Sequence, residues 1–377
     1  MSREDAVRQS TIGGAQFPWL PGEVGEWLVP RFAEWDSGRA ADEGVSDPGA
    51  AAARAASADA AGIPDPDREE LDHIVPSGFA ALIRVLHPFT RTRPVHGNWA
   101  EYEALLSDPS TARIPETIEE NAGWKQTASA LGNSEAFGPA ALSWRLAGAA
   151  WGEQLDAVDA EGWRYSEPAD GSLSEGVLER VAAVLAARTS TPGQGVAAIW
   201  DGYGGLVSAQ GVGFFAFAPL PRTPTWLSRI GARAYSRLAA FAIRRKIFGT
   251  EPAIRAALFP RAEQAPGSGY LSREAATGSR LELPGRDYIC FAAGIADFRT
   301  PRWKVRAPWL GPDGYREESP QTPNLIWPRG REWVLVSEID LDSTLIACSR
   351  DAADALLAAP GIEAVEITRD TALWEDS

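Results

Sequence analysis

The stretch EWVLVSEIDLDSTLIAC, Glu332 to Cys348, decides the fold. Trp333, Leu335, Ile339 and Leu341 alternate with Val334, Val336, Glu338, Asp340 and Asp342, which is the period of two expected of a strand with unlike faces. The alternation predicts a strand over 332–340. Asp342-Ser343 then suits a hairpin turn, because both side chains bond readily to local backbone. A second strand, 343–348, follows at once, so the two pair antiparallel. Beyond it, Ser349 is placed to cap a helix running to about Ala358. Pro360-Gly361 stops that helix ahead of a last strand in IEAVEIT.

Working outward, GVAAIW (195–200), VGFFAFA (212–218) and DYICFAA (287–293) read as further strands, and FAALIRVL (79–86) as another. Helical spacing marks 138–151 and 174–188, the second with Ser174 as its cap and Glu175 in its first turn. DGYGG after the GVAAIW strand is a turn. Strands come in groups without regular β-α alternation. This predicts an α+β fold, a largely antiparallel sheet with flanking helices, rather than a doubly wound sheet.

The 377 residues, 45% hydrophobic, are enough for one large core or two moderate ones. The first 35 residues are Trp-rich, and a short helix from about Val24 to Trp35 would pack Trp27, Leu28 and Phe32 onto the body. Residues 36–70 are rich in Ala, Asp, Gly and Ser, and are read as a low-complexity linker or mobile insertion. The main α+β domain is expected over 71–377, with a helical elaboration at about 205–285. No signal-peptide pattern and no apolar run of about 18 residues is visible, which predicts a cytoplasmic protein without a transmembrane segment. Cys290 and Cys348 sit in apolar runs, as buried free thiols do.

Chemistry enters through the acidic end of the opening stretch. On a continuous strand Glu338, Asp340 and Asp342 would lie on one face about 7 Å apart, a spacing that suits joint binding of magnesium through oxygen ligands. This supports one function, a metal-dependent hydrolase or phosphoryl-transfer enzyme with Asp201 or His87 giving acid-base help. Asp340-Leu341-Asp342-Ser343-Thr344-Leu345 also resembles the nucleophile motif of haloacid dehalogenase-type phosphatases. In that family the motif comes early and a Lys follows it, whereas here Lys125, Lys246 and Lys304 all precede it. His73, His87 and His96 fit no common metal-ligand spacing. No nucleophile elbow, P-loop or dinucleotide fingerprint occurs.

The net charge of −15 argues against general nucleic-acid binding. One stretch reverses it: between Asp201 and Glu251 there is no acidic residue, and Arg222, Arg229, Arg233, Arg237, Arg244, Arg245 and Lys246 lie there. Arg229, Arg233 and Arg237 recur every fourth residue and form one ridge of a helix over about 225–248. Such a helix suits an acidic protein partner or peripheral contact with an anionic surface. Trp303 and Trp309, in the Pro- and Arg-rich TPRWKVRAPWLGP, are candidates for an exposed stacking platform.

WDGYG (200–204), YICFAAG (288–294), PNLIWPRGREWVLVSEIDLDSTLIACS (323–349), LLAAPGIEAVEI (356–367) and SGFAALIRVLHP (77–88) together resemble a group of uncharacterised actinobacterial proteins. The resemblance implies a bacterial cytoplasmic protein and brings no catalytic residue or cofactor with it. The leading expectation is therefore a non-catalytic binding or regulatory protein without a cofactor, and the magnesium-dependent enzyme is the alternative.

Overall fold

The computed structural model describes residues 15–33, 70–107, 115–149, 155–208, 266–311 and 320–373. The chain divides into two compact units, Met1–Asp201 with Ser279–Ser377, and Gly202–Gly278. In the second unit the described residues include a short helix, Arg273–Thr277, whose cap Ser272 accepts a hydrogen bond from the Ala275 amide.

In the first unit the described strands are β1 (Trp19–Leu20), β2 (Ala81–Leu86), β3 (Phe89–Pro94), β4 (Thr117–Ala122), β5 (Arg164–Ser166) and β6 (Gly195–Trp200). They continue with β7 (Leu281–Leu283), β8 (Arg286–Ala292), β9 (Leu325–Pro328), β10 (Val334–Val336), β11 (Ser343–Cys348) and β12 (Ala364–Ile367). A nine-stranded sheet runs in the order β1-β8-β6-β9-β10-β11-β2-β12, with β7 also paired to β8. A three-stranded sheet has the order β4-β3-β5. Every pairing among the described strands is antiparallel. The fold is α+β with the antiparallel sheet dominant.

Alternation puts two apolar faces on the large sheet. Leu82, Ala198, Cys290, Leu325, Val334, Val336, Leu345 and Ile367 share one core, to which Leu28 and Phe32 of the N-terminal segment and Leu71 and Val75 also belong. The helix Arg350–Ala358 packs on β2, β12 and the helix Glu175–Ala186. The smaller sheet builds a separate core with Phe89, Trp124, Trp163 and Tyr165. Cys290 and Cys348 are buried free thiols, and burial pushes them up to about 12 and about 11. At those values neither is a thiolate near neutrality.

Several elements differ from the sequence expectation, for local reasons. The N-terminal segment forms two short 3-10 turns, Gly22–Gly25 and Val29–Arg31, instead of one helix from 24 to 35. Pro30 occupies the start of the second turn, where it cannot continue an α-helical hydrogen-bond ladder from the first. The helix expected over 138–151 shrinks to Ser143–Leu146. Two carbonyls ahead of it, those of Pro139 and Ala141, accept from Arg84 instead, and Gly148 ends it at φ 76. Ser174 precedes its helix, but its side chain makes no cap hydrogen bond. Ser349 does cap the helix that follows it, accepting from the Ala352 amide at 3.3 Å.

The strand expected over 332–340 stops at Val336. β10 pairs with β9 through Val336↔Leu325, and the Ser337 amide still donates to the Asn324 carbonyl at 2.7 Å. The Asn324 amide cannot reciprocate, because it donates to the Ala198 carbonyl. Its side-chain Nδ2 serves the Ser337 carbonyl in its place. The ladder ends there, and Ser337–Asp342 leave the sheet as a loop. The turn is therefore this loop and not Asp342-Ser343, since Ser343 already pairs with Leu86 in the sheet. The strand expected at 212–218 lies outside the described residues.

Candidate functional site

Leaving the sheet separates the three carboxylates. Asp342 turns to Arg84, whose Nη2 donates to its Oδ1 at 2.9 Å. Arg84, on β2, is 0% exposed. Its remaining donors go to Ser343 Oγ and to the carbonyls of Pro139 and Ala141, and the guanidinium lies 5.2 Å from the Trp124 ring centroid. Burial draws the Arg84 pKa down, and the Asp342 charge opposes that shift.

Glu338 and Asp340 turn instead to Arg286, at the start of β8. Arg286 Nη2 forms ion pairs with both, and donates to Asp340 Oδ2 at 2.6 Å. The guanidinium also stands 5.2 Å from the Trp200 ring centroid. Burial works against the Arg286 charge, but the two carboxylates outweigh it and hold the guanidinium protonated. The magnesium arrangement of three carboxylates on one strand face is thus replaced by two ion-paired groups. Among the described residues, no group of three or more His, Cys, Asp or Glu side chains is placed to hold a metal ion.

The residues considered for acid-base help are also engaged. Asp201 pairs with Arg280 at 2.7 Å. His87, 1% exposed, has Nδ1 at 2.6 Å from the Ala169 carbonyl and Nε2 at 2.9 Å from Thr344 Oγ1, which lies 2.7 Å from Ser337 Oγ. A carbonyl only accepts, so Nδ1 carries the proton and Nε2 accepts from the Thr344 hydroxyl. Burial pushes His87 down to about 4, leaving it neutral.

The expected aromatic platform is internal. Trp303 is 1% and Trp309 3% exposed. They stack 6.3 Å apart among Phe17, Phe291 and Phe298, and Trp309 Nε1 donates to the Gln321 carbonyl. A loop rich in Pro and Arg suggests exposure, but Phe291 and Phe298 just ahead of it and Phe17 from the N-terminal segment bury it. Arg229, Arg233 and Arg237 lie outside the described residues.

What the structure does assemble is a cleft of about 450 Å³ beside Arg286, Glu338 and Asp340. Phe32, Ile74, Leu283, Tyr288 and Leu325 supply apolar wall, and His73 joins the polar side. The volume is in the range of small-molecule sites, which combine apolar lining with a few placed polar groups. Glu338 is its most telling group. It is 7% exposed, and its Oε1 is shielded from water with the Arg286 guanidinium as its ion-pair partner. Burial raises its pKa, while the Arg286 charge pulls it part of the way back. Glu338 and Asp340 were legible as candidates from their alternation. Arg286, lone in a strand remote in sequence, carried no signal.

Comparison of the chain with protein-family models, with curated proteins and with solved structures finds no match. Among the described residues no helix is long and apolar enough to cross a membrane.

Proposed function

We propose that this chain is a cytoplasmic binding or regulatory protein whose cleft at Glu338 takes a small organic cation, an amine with an apolar body. Supporting this reading is the charge balance at the cleft, where the carboxylates of Glu338 and Asp340 line the wall beside Arg286. Two carboxylates face one guanidinium there, so the pairing leaves one negative charge over. An ammonium N–H would meet that surplus charge as a charge-assisted hydrogen bond, and the apolar walls would cover the ligand's body. The same walls do not select for an anion, which would have to displace Glu338 from Arg286 and leave a buried carboxylate unpaired.

The test is a thermal-shift comparison of phenethylamine with its near-isostere phenylpropionate. The amine is expected to raise the melting temperature as its concentration rises, by mass action on the folded state, and the carboxylate to leave it unchanged. Equal shifts, or no shift with millimolar amine, overturn the reading. The basic stretch over 225–248 is proposed, on sequence alone, as the contact for an acidic protein partner. The ion pairs of Glu338, Asp340 and Asp342 leave the magnesium-dependent alternative without a supporting observation.

A further inference from the structure

A second cleft, of about 480 Å³, has the opposite electrostatic character. It is lined by Trp27 of the N-terminal segment, the Gly193–Val196 stretch entering β6, the end of β8, and the turn between β9 and β10 with Arg329 and Arg331. Arg306 and Asp297 also border it, and these two neutralise each other as an ion pair. The second oxygen of Asp297 is occupied as well, accepting from the Gly294 amide at 3.0 Å.

That leaves Arg329 and Arg331. Arg329 Nη1 donates at 2.9 Å to Gln194 Oε1, a neutral acceptor that cancels no charge. Arg331 has no carboxylate partner among the described residues, and its guanidinium lies 4.8 Å from the Trp27 ring centroid. Its backbone is at φ 62, the single positive φ among described non-glycine residues. A side chain held in that region signals a local constraint, and such constraints gather at ligand sites. Two positive charges therefore stand uncancelled at one cleft of a chain whose net charge is −15. Beside them Trp27 and Trp327 cross edge to face at 6.5 Å. The Trp27 indole N–H is shielded from water and has no acceptor among the described residues.

We infer that this cleft binds a small aromatic anion, an aryl phosphate or aryl carboxylate. The Arg329 and Arg331 guanidiniums hold the acidic group, since their forked donors match planar and tetrahedral oxyanions. The Trp27 indole, itself packed on the buried Trp327, offers the ring an aromatic contact. The inference is independent of the amine reading, because the two clefts share no lining residue and take ligands of opposite charge.

Calorimetric titration of the full chain with naphthyl phosphate, with naphthol and inorganic phosphate as partial probes, tests it. Naphthyl phosphate is expected to bind, and each partial probe to bind at least roughly tenfold more weakly, as loss of either the charged or the stacked contact implies. Arg331→Gly removes the charge while suiting the left-handed backbone. It is expected to weaken binding roughly tenfold with the melting temperature unchanged or raised, and Arg331→Lys to restore part of the loss. Failure of naphthyl phosphate to bind at millimolar concentration overturns the inference. So does equal affinity in Arg331→Gly, or binding of naphthol as tight as that of its phosphate.

Discussion

Arg84 shows how much one buried side chain can organise. All of its donor nitrogens are occupied, and its charge is matched by Asp342. Arg84→Met would leave Asp342 without its partner and two carbonyls without donors, and is expected to cost about 3–5 kcal/mol in urea unfolding. Asp342→Asn keeps a hydrogen-bonding oxygen and should cost less. A smaller loss from Arg84→Met than from Asp342→Asn would refute this ranking.

His87 makes the other residue-scale prediction. Its folded value, about 4, lies below the ordinary histidine value. It therefore contributes stability that is complete above about pH 6.5 and is lost as the pH falls toward 4, by about 3 kcal/mol in all. Asp170, pushed up to about 6 by desolvation and by the carboxylates of Asp342, Glu167 and Asp340, works in the opposite sense over much of the same window. The readout is thus the difference between wild type and His87→Gln. The wild type should lose more stability than the variant on acidification through that window; parallel curves would show that His87 does not titrate as described.

At the scale of the element, the Ser337–Asp342 loop is where sequence and structure part company. The period of two continues in the letters through Asp342, so nothing in the alternation marks the exit at Ser337. The cause is a remote residue, Asn324, whose backbone amide is committed to Ala198 and whose side chain closes the ladder. The loop is then pinned from a third direction. The Gly171 amide donates to the Leu341 carbonyl at 2.9 Å, and a Cβ on Gly171 would sit 2.7 Å from Ile339 Cα. Gly171 is also at φ 65. Gly171→Ala should cost about 1–3 kcal/mol from strain and displacement, and should weaken amine binding by moving Glu338. Unchanged stability and affinity would mean that the loop is not held there.

Across the whole molecule, the grouping of strands without β-α alternation sufficed for the α+β class, and GVAAIW and STLIAC were legible to the residue. Those segments are buried on both faces and rich in apolar residues. Strands such as β3 and β4, FTRTRP and TIEENA, were not legible, since their polar side chains reach solvent and only cross-strand pairing defines them. The candidate site was half legible: Glu338 and Asp340 stood out, while their counter-charge and the walls came from distant segments. Two clefts of opposite charge bias on one acidic chain could not be read from net charge at all, because ion pairing decides which charges remain uncancelled.

Recognition of an organic cation rests on Glu338 as its acceptor, and the decisive measurement is calorimetric titration of phenethylamine into wild type, Glu338→Gln and Asp342→Asn. Near neutral pH the wild type should bind and Glu338→Gln should bind roughly tenfold more weakly or not at all. Asp342→Asn should bind as the wild type does, because Asp342 faces Arg84 rather than the cleft. Affinity unchanged by Glu338→Gln, or lost equally in both variants, would contradict it.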